Sequence, residues 1–274
     1  MEYDTGLPLL QRDPMTDRTF APDAAARRLQ HAAGNRQLLI ELAADERPAT
    51  VDDGYLVQTA VLAAGGESIA GWKIAGASPR CLRGEVPAVP LIGGVVPSRI
   101  LRSGATLAIH AGAPLTLEAE VAVSFARDVA PADEPFTAAL IEQVFAAIEV
   151  VRSRFVDRKA VGQPSFAADN VGFHALVCGD AVDLAPGAGF VANVEMRFND
   201  QVISTSLLGD DRTQPFQALA FLWSEFARRC ITIPRGAVIT TGTLTLPVDV
   251  TGPGLVEARV GTTRVALRLT APAQ

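Results

Sequence analysis

Glu118 and Glu120 lie two residues apart in Leu117-Glu118-Ala119-Glu120-Val121-Ala122-Val123, one of the most apolar stretches of the chain. On a β-strand, residues two apart point to the same face. Both carboxylates would therefore meet at one spot, in surroundings supplied by Leu115, Leu117, Val121 and Val123. Two ionised carboxylates a few ångströms apart repel by about 4 kcal/mol at an intermediate dielectric, and burial adds a desolvation cost. A divalent cation removes both penalties.

A third acid, Glu149, occupies a second apolar, strand-like run, Ala147-Ile148-Glu149-Val150-Val151. A single buried glutamate is as easily one half of an ion pair, and Arg152 and Arg154 are close in sequence. Strand parity points both arginines away from Glu149 unless a bulge intervenes. Three acids inside apolar strands, with no histidine or cysteine beside them, suit a hard cation, Mg²⁺ or Mn²⁺, completed by water or substrate oxygens. Lysine is scarce: Lys73 and Lys159 are the only two. Lys73, in the apolar run Gly71-Trp72-Lys73-Ile74, is therefore worth weighing as a functional residue. Apolar surroundings lower a lysine pKa and nearby carboxylates raise it; the sequence does not decide between them.

The elements that must position these residues fall into two parts. Residues 1–70 read as a helical section. Residues 1–20 form an irregular arm, and a helical spacing follows from Asp23 to Ala44, interrupted near Gly34-Asn35. A second helix is capped by Thr50 and stopped by Gly65-Gly66. Residues 71–274 read as β-rich, with short runs at Gly71–Ala75, Gly94–Ile100, Thr106–His110, Thr116–Phe125, Ala147–Arg154 and His174–Cys178. Hairpins turn at Asn199-Asp200 and Gly261-Thr262. Helices are expected over about Pro135–Ala146 and from Pro215 to Cys230. The fold class is α+β: a mixed β-sandwich or roll with an α-helical N-terminal section, the two parts expected to form one integrated domain.

Composition narrows the function classes. The 274 residues are 49% hydrophobic and carry a formal net charge of −6. No basic cluster is available to neutralise phosphates, which argues against a nucleic-acid partner. No apolar run reaches bilayer-spanning length, so no membrane role is expected. Cys81, Cys178 and Cys230 are far apart and read as free thiols. With no secretory signal visible, a cytoplasmic location is expected.

The ordered series Gly71-Trp72-Lys73-Ile74, Glu118-Ala119-Glu120, Ile148-Glu149-Val150-Val151-Arg152-Ser153-Arg154, Ala168-Asp169-Asn170 and Thr240-Thr241-Gly242-Thr243-Leu244 resembles the fumarylacetoacetate hydrolase superfamily. The branch it looks most like holds the 2-keto-4-pentenoate hydratases and 4-oxalocrotonate decarboxylases of aromatic meta-cleavage pathways. The resemblance covers about residues 20–270. It implies a metal-dependent lyase for 2-oxo or 2-hydroxydienoic acids such as 2-hydroxypenta-2,4-dienoate, with hydration the leading reading and decarboxylation the alternative. Glu118, Glu120 and Glu149 match the metal ligands. Lys73 would hold the substrate carboxylate or exchange a proton, and Asp169 would orient Lys73. Asn170, Gly242 and Thr243 would lie against the substrate, although an Asx turn and a plain strand-end turn are the alternatives at these positions. The resemblance also implies a homo-oligomer and leaves room for a complex with a neighbouring pathway enzyme.

Departures from the pattern bear on the reaction. Where the hydratases carry a proton-transfer acid, this chain has Ser98-Arg99, and the Asp often found before Ser-Arg is Arg152. Arg99 would suit a second substrate carboxylate. C–C hydrolases of the superfamily use a His–Glu pair. His31, His110 and His174 match no such motif, which ranks hydrolysis of an acylpyruvate below a lyase reaction. Loss of the acid also keeps a non-catalytic binding relative in view.

Overall fold

The computed structural model describes residues 20–109, 114–182 and 192–271. His110 and the N-terminal arm before Phe20 lie outside these residues. The helical section begins with α1 (Pro22–Gly34), which ends at the Gly34-Asn35 interruption and does not resume as far as Ala44. In α2 (Val51–Ala64) the Thr50 side chain accepts from Asp53 N, while the Asp53 carboxylate accepts from Thr50 N. This reciprocal cap satisfies two otherwise open donors.

The larger sheet carries β1 (Gly71–Ala75), β2 (Leu91–Val95), β3 (Ile100–Arg102), β5 (Leu115–Phe125), β6 (Ile141–Val151), β7 (Phe173–Ala181) and β10 (Val238–Thr240) in the order β2-β1-β10-β5-β6-β7-β3. β11 (Val248–Val250) pairs with the start of β5. The smaller sheet has the order β4 (Ala105–Ala108), β13 (Thr263–Thr270), β12 (Gly254–Val260), β8 (Val194–Phe198), β9 (Gln201–Thr205). Asn199 and Asp200 take positive φ in the β8–β9 hairpin, as a two-residue hairpin turn requires. One face of β5, β6 and β7, through Leu117, Ala119, Val121, Ile148, Val150 and Val177, packs with Met196, Val256 and Leu267 of the smaller sheet. The two sheets thus form a sandwich, and the α+β architecture is the one expected.

One element differs in kind. The segment 135–146, expected to be helical, is not: a short 3₁₀ turn covers Ala138–Leu140 and β6 begins at Ile141. The ten-pair antiparallel ladder with β5 pairs the start of β6 across strands, and this tertiary pairing overrides local propensity. Strand limits elsewhere shift by a few residues: β2 stops at Val95, and a 3₁₀ turn at Pro97–Arg99 precedes β3.

The other α-helices of the described residues are the single turn α3 (Pro79–Leu82), α4 (Gly162–Ala168) and α5 (Pro215–Arg229). α5 buries Ala218, Leu219, Leu222, Trp223 and Phe226 against Trp72, Ile74 and Ile239 of the larger sheet. Phe226 meets Trp72 edge to face at 4.9 Å between centroids. α1 and α2 pack with Phe155 and Ala168 through Ala26, Leu29, Val57 and Val61. Polar contacts fix α2 to β2: Ile92 N donates to Tyr55 Oη (2.9 Å), and Gln58 Nε2 donates to the carbonyls of Ile92 and Ala167, both at 3.0 Å. No helix among the described residues is long and apolar enough to cross a membrane.

β1 lies against β10 so closely at Gly71 that an added Cβ would come within 1.9 Å of the Val238 carbonyl oxygen. Gly71→Ala should therefore force β1 off β10 and lower stability by about 1–3 kcal/mol, read as a lower urea midpoint with an unchanged slope.

Candidate metal centre

The central pairing of the larger sheet assembles the acids. Glu118 on β5 is directly opposite Glu149 on β6, with Glu120 two residues along β5. Opposed side chains in an antiparallel pair have Cβ atoms about 5 Å apart, and like charges there are destabilising. One carboxylate oxygen from each of Glu118, Glu120 and Glu149 lies within 4.8 Å of the others. Glu120 and Glu149 are fully buried, and Glu118 is partly exposed.

Two cross-strand steps from β5 bring in the cation. Ala122 pairs with Thr240, and Thr240 pairs with Lys73. Lys73 is buried at 2% exposure, and its Nζ lies 2.8 Å from Glu149 Oε1. Burial is the largest influence on Lys73 and lowers its pKa, but Glu149, Glu118 and Glu120 together outweigh it, so the net direction is upward. The opposition left open by the sequence resolves in favour of an ammonium. One ammonium does not balance three carboxylates. Burial first, then the neighbouring acids, push Glu120 well above the ordinary range, against the pull of Lys73 and of Gly242 N–H. Burial likewise raises Glu149, to about 7, although Lys73 draws it down.

Glu120 Oε1 and Glu149 Oε2 are buried and accept no hydrogen bond. Buried carboxylate oxygens without a donor are costly. Three convergent oxygen donors with unsatisfied lone pairs are what a hard divalent cation takes up. The residues present therefore fit Mg²⁺ or Mn²⁺.

The flanking residues have roles that the sequence did not reveal. Gly242, at φ +101°, donates its N–H to Glu120 Oε2 at 3.0 Å. A side chain there would be strained and would crowd Thr213 Oγ1 and the Ile74 carbonyl. The sequence places Gly242 against the substrate; in the structure its N–H is taken up by Glu120, a metal-ligand candidate. Thr243 Oγ1 donates to the Thr245 carbonyl at 2.7 Å, closing the turn on itself. Asp169, expected to orient Lys73, does not: its carboxylate accepts from Ser153 Oγ (2.7 Å), Arg154 N (2.9 Å) and Arg154 Nε. Asp169 orients Arg154. Asn170 holds β2 through both ends of its amide, accepting from Gly94 N (2.7 Å) and donating to the Gly94 carbonyl (2.8 Å). Asn170, Val171 and Gly172 all take positive φ, a conformation that is strained for β-branched Val171 and that characterises functional sites. Thr240, absent from the sequence-based set, is buried beside Lys73 with its Oγ1 unpartnered.

A cavity of about 450 Å³ opens next to this centre. Neither Lys73 nor the three glutamates line it. It adjoins them through Gly94 and Asn170, because an added Cβ on Gly93 would touch both Asn170 and Lys73 Cγ. Among the described residues, Arg36, Arg99, Arg152, Arg154 and His174 line the cavity with a single carboxylate, Glu67. Arg99 is exposed on its wall. The segment expected to lack an acid has one nearby in space: Glu67 accepts from Ser98 Oγ (2.6 Å) and Ser98 N (2.9 Å). His31 lies on exposed helix surface, hydrogen-bonded to Asn35.

No family model matches the chain, and no curated protein matches it. Solved structures do. 4-Oxalocrotonate decarboxylase from Pseudomonas putida G7, complexed with magnesium and adipate, is 24% identical, with 93% of this chain and 100% of that one covered and a TM-score of 0.75. Fumarylpyruvate hydrolase from Pseudomonas aeruginosa, in complex with Mn²⁺ and pyruvate, is 12% identical over 73% of this chain and 89% of its own, with a TM-score of 0.53. 5-Carboxymethyl-2-hydroxymuconate delta-isomerase from Mycobacterium smegmatis is 18% identical over 75% and 79%, with a TM-score of 0.52. The chain has the fold of these enzymes, the fumarylacetoacetate hydrolase fold expected from its motifs.

The raised carboxylates make stability, and any uptake of a cation by these oxygens, pH-dependent. In the metal-free protein Glu120 and Glu149 sit above their ordinary value. The folded state thus binds more protons than the unfolded state between about pH 4.5 and 7, and it loses stability as pH rises through that window. Deprotonation frees the same oxygens for metal. Mg²⁺ should raise the melting temperature more at pH 8 than at pH 5.5 in thermal-shift measurements; equal shifts at both would contradict this assignment.

Proposed function

We propose that the chain is an enzyme of the fumarylacetoacetate hydrolase superfamily, a divalent-metal-dependent lyase acting on a 2-oxo acid. The observation that carries this reading is the convergence of Glu118, Glu120 and Glu149 with unsatisfied buried oxygens beside one buried ammonium. Glu118, Glu120 and Glu149 would hold Mg²⁺ or Mn²⁺. When bound, the ion supplies Lewis acidity toward the carboxylate and 2-oxygen of the substrate. In the metal-free protein the three glutamates hold Lys73 toward its charged form, and as an ammonium its task would be to hold a carboxylate or deliver a proton. Gly242 N–H fixes Glu120, and the buried surroundings exclude water and strengthen each of these interactions. Asn170 keeps β2 and its glycines against the centre.

Of the two lyase reactions, decarboxylation is the better supported. The decarboxylase likeness extends over 93% of the chain, and the cavity beside the centre is rich in arginine. Hydration is the second reading, favoured by the presence of the Glu67 carboxylate at Ser98, the residue that stands where the hydratases carry an acid in sequence. The hydrogen bonds from Ser98 hold Glu67 below its ordinary value, which suits a base better than a proton-donating acid. The sequence-based reading of a homo-oligomer working in the cytoplasm on a small-molecule substrate, with no nucleic-acid or membrane partner, stands as part of the same proposal.

Assays of 4-oxalocrotonate and 2-hydroxypenta-2,4-dienoate by ultraviolet absorbance, with EDTA and with added Mg²⁺ or Mn²⁺, test the reading. Metal-dependent loss of 4-oxalocrotonate is expected, and Glu149→Gln should lower it roughly a thousandfold. Turnover that survives EDTA, or none of either substrate with metal present, would remove the lyase assignment.

A further inference from the structure

The charges lining the cavity do not balance. Arg154 is neutralised by Asp169, and Arg99 has Glu67 as its charge neighbour. Arg36 and Arg152 have neither an ion-pair nor a hydrogen-bond partner for their side chains among the described residues, and Arg152 is partly buried. They are brought together from opposite ends of the fold. After α1 the chain docks on the segment following β6: Leu39 bridges Phe155, with Leu39 N donating to the Arg154 carbonyl and Val156 N to the Leu39 carbonyl, both at 2.9 Å. Arg36, in a left-handed conformation at φ 55°, precedes this contact. Arg152 follows β6, where the ladder with β7 shifts register between Val150 and Val151. The bulge removes the strict alternation that would have pointed Arg152 away from the face of Glu149. Arg36 lies close enough for its charge, after burial, to act on Arg152.

Two guanidinium groups lining one cavity, neither with an ion-pair partner among the described residues, repel, and an anion relieves that repulsion. Arg152 is three residues beyond Glu149, about 10 Å along an extended chain. We propose that Arg36 and Arg152 form a specificity clamp for a carboxylate at the far end of the substrate, so that the enzyme selects 2-oxo dicarboxylates. This deepens the proposed function and rests on it for the substrate's head group. The helical section then supplies a specificity residue, Arg36, as well as support for β2.

Isothermal titration of the whole metal-free protein with adipate and hexanoate, which differ in the second carboxylate, tests the clamp without metal. Adipate should bind roughly tenfold to hundredfold more tightly, and the ratio should fall toward one in both Arg152→Leu and Arg36→Ala. A ratio within one variant is insensitive to partial loss of folded protein. Equal affinities in the wild type, or a ratio retained in both variants, would overturn the clamp. Inorganic phosphate displacing adipate at tenfold lower concentration would overturn its assignment to a carboxylate. Mg²⁺-dependent binding of pyruvate tests the metal reading separately; if that fails, the adipate ratio still decides the clamp.

Discussion

Three carboxylates, two of them fully buried, and one buried ammonium in the middle of a β-sheet set the terms for this molecule. Glu118 and Glu149 are opposite each other on neighbouring strands, Glu120 is beside them, and Lys73 reaches Glu149 from β1, three strands along the sheet. A buried charge needs a partner, and Lys73 supplies one where three are required. Burial first, and then the remaining deficit, raises the carboxylate pKa values, and the buried oxygens without donors make the cluster fit a hard cation. Natural proteins keep such costly groups where chemistry uses them.

Much of the fold follows from holding that cluster in register. The long β5–β6 ladder places the acids, because a slip of one residue would turn all of them to the opposite face. The close approach of β1 to β10 at Gly71 delivers Lys73. Around this row, Gly242 and Asn170 use backbone and amide hydrogen bonds to fix Glu120 and β2. Asp169 and Arg154 form a buried pair that shapes the cavity wall. The helical section contributes through Tyr55 and Gln58, whose contacts with Ile92 anchor the strand carrying Gly93 and Gly94.

The acids are legible in the sequence because a glutamate in an apolar, strand-like run is out of place, and two at i and i+2 must share a face. The hairpins are legible from their turn residues. The start of β6 is not, since residues 135–146 show no strong alternation and the strand exists only through its partner β5. The pairing of Asp169 with Arg154 is hidden for a related reason: the two are fifteen residues apart, and the contact depends on the strained turn at Asn170–Gly172. Arg36 gives no local signal, being one of many surface-type arginines until the chain after α1 docks beside Phe155. Glu67 escapes notice because it reaches Ser98 from a separate loop. Side chains whose role depends on a neighbouring strand or loop are beyond a one-dimensional reading.

The most direct test of the central claim is a crystal structure of the protein soaked with Mn²⁺ and recorded at an energy that reveals manganese by anomalous scattering. A single strong peak bonded by one oxygen from each of Glu118, Glu120 and Glu149, with Lys73 beside it, is the expected result. No peak between the three glutamates, or a manganese ion bound elsewhere with this cluster empty, would contradict the account.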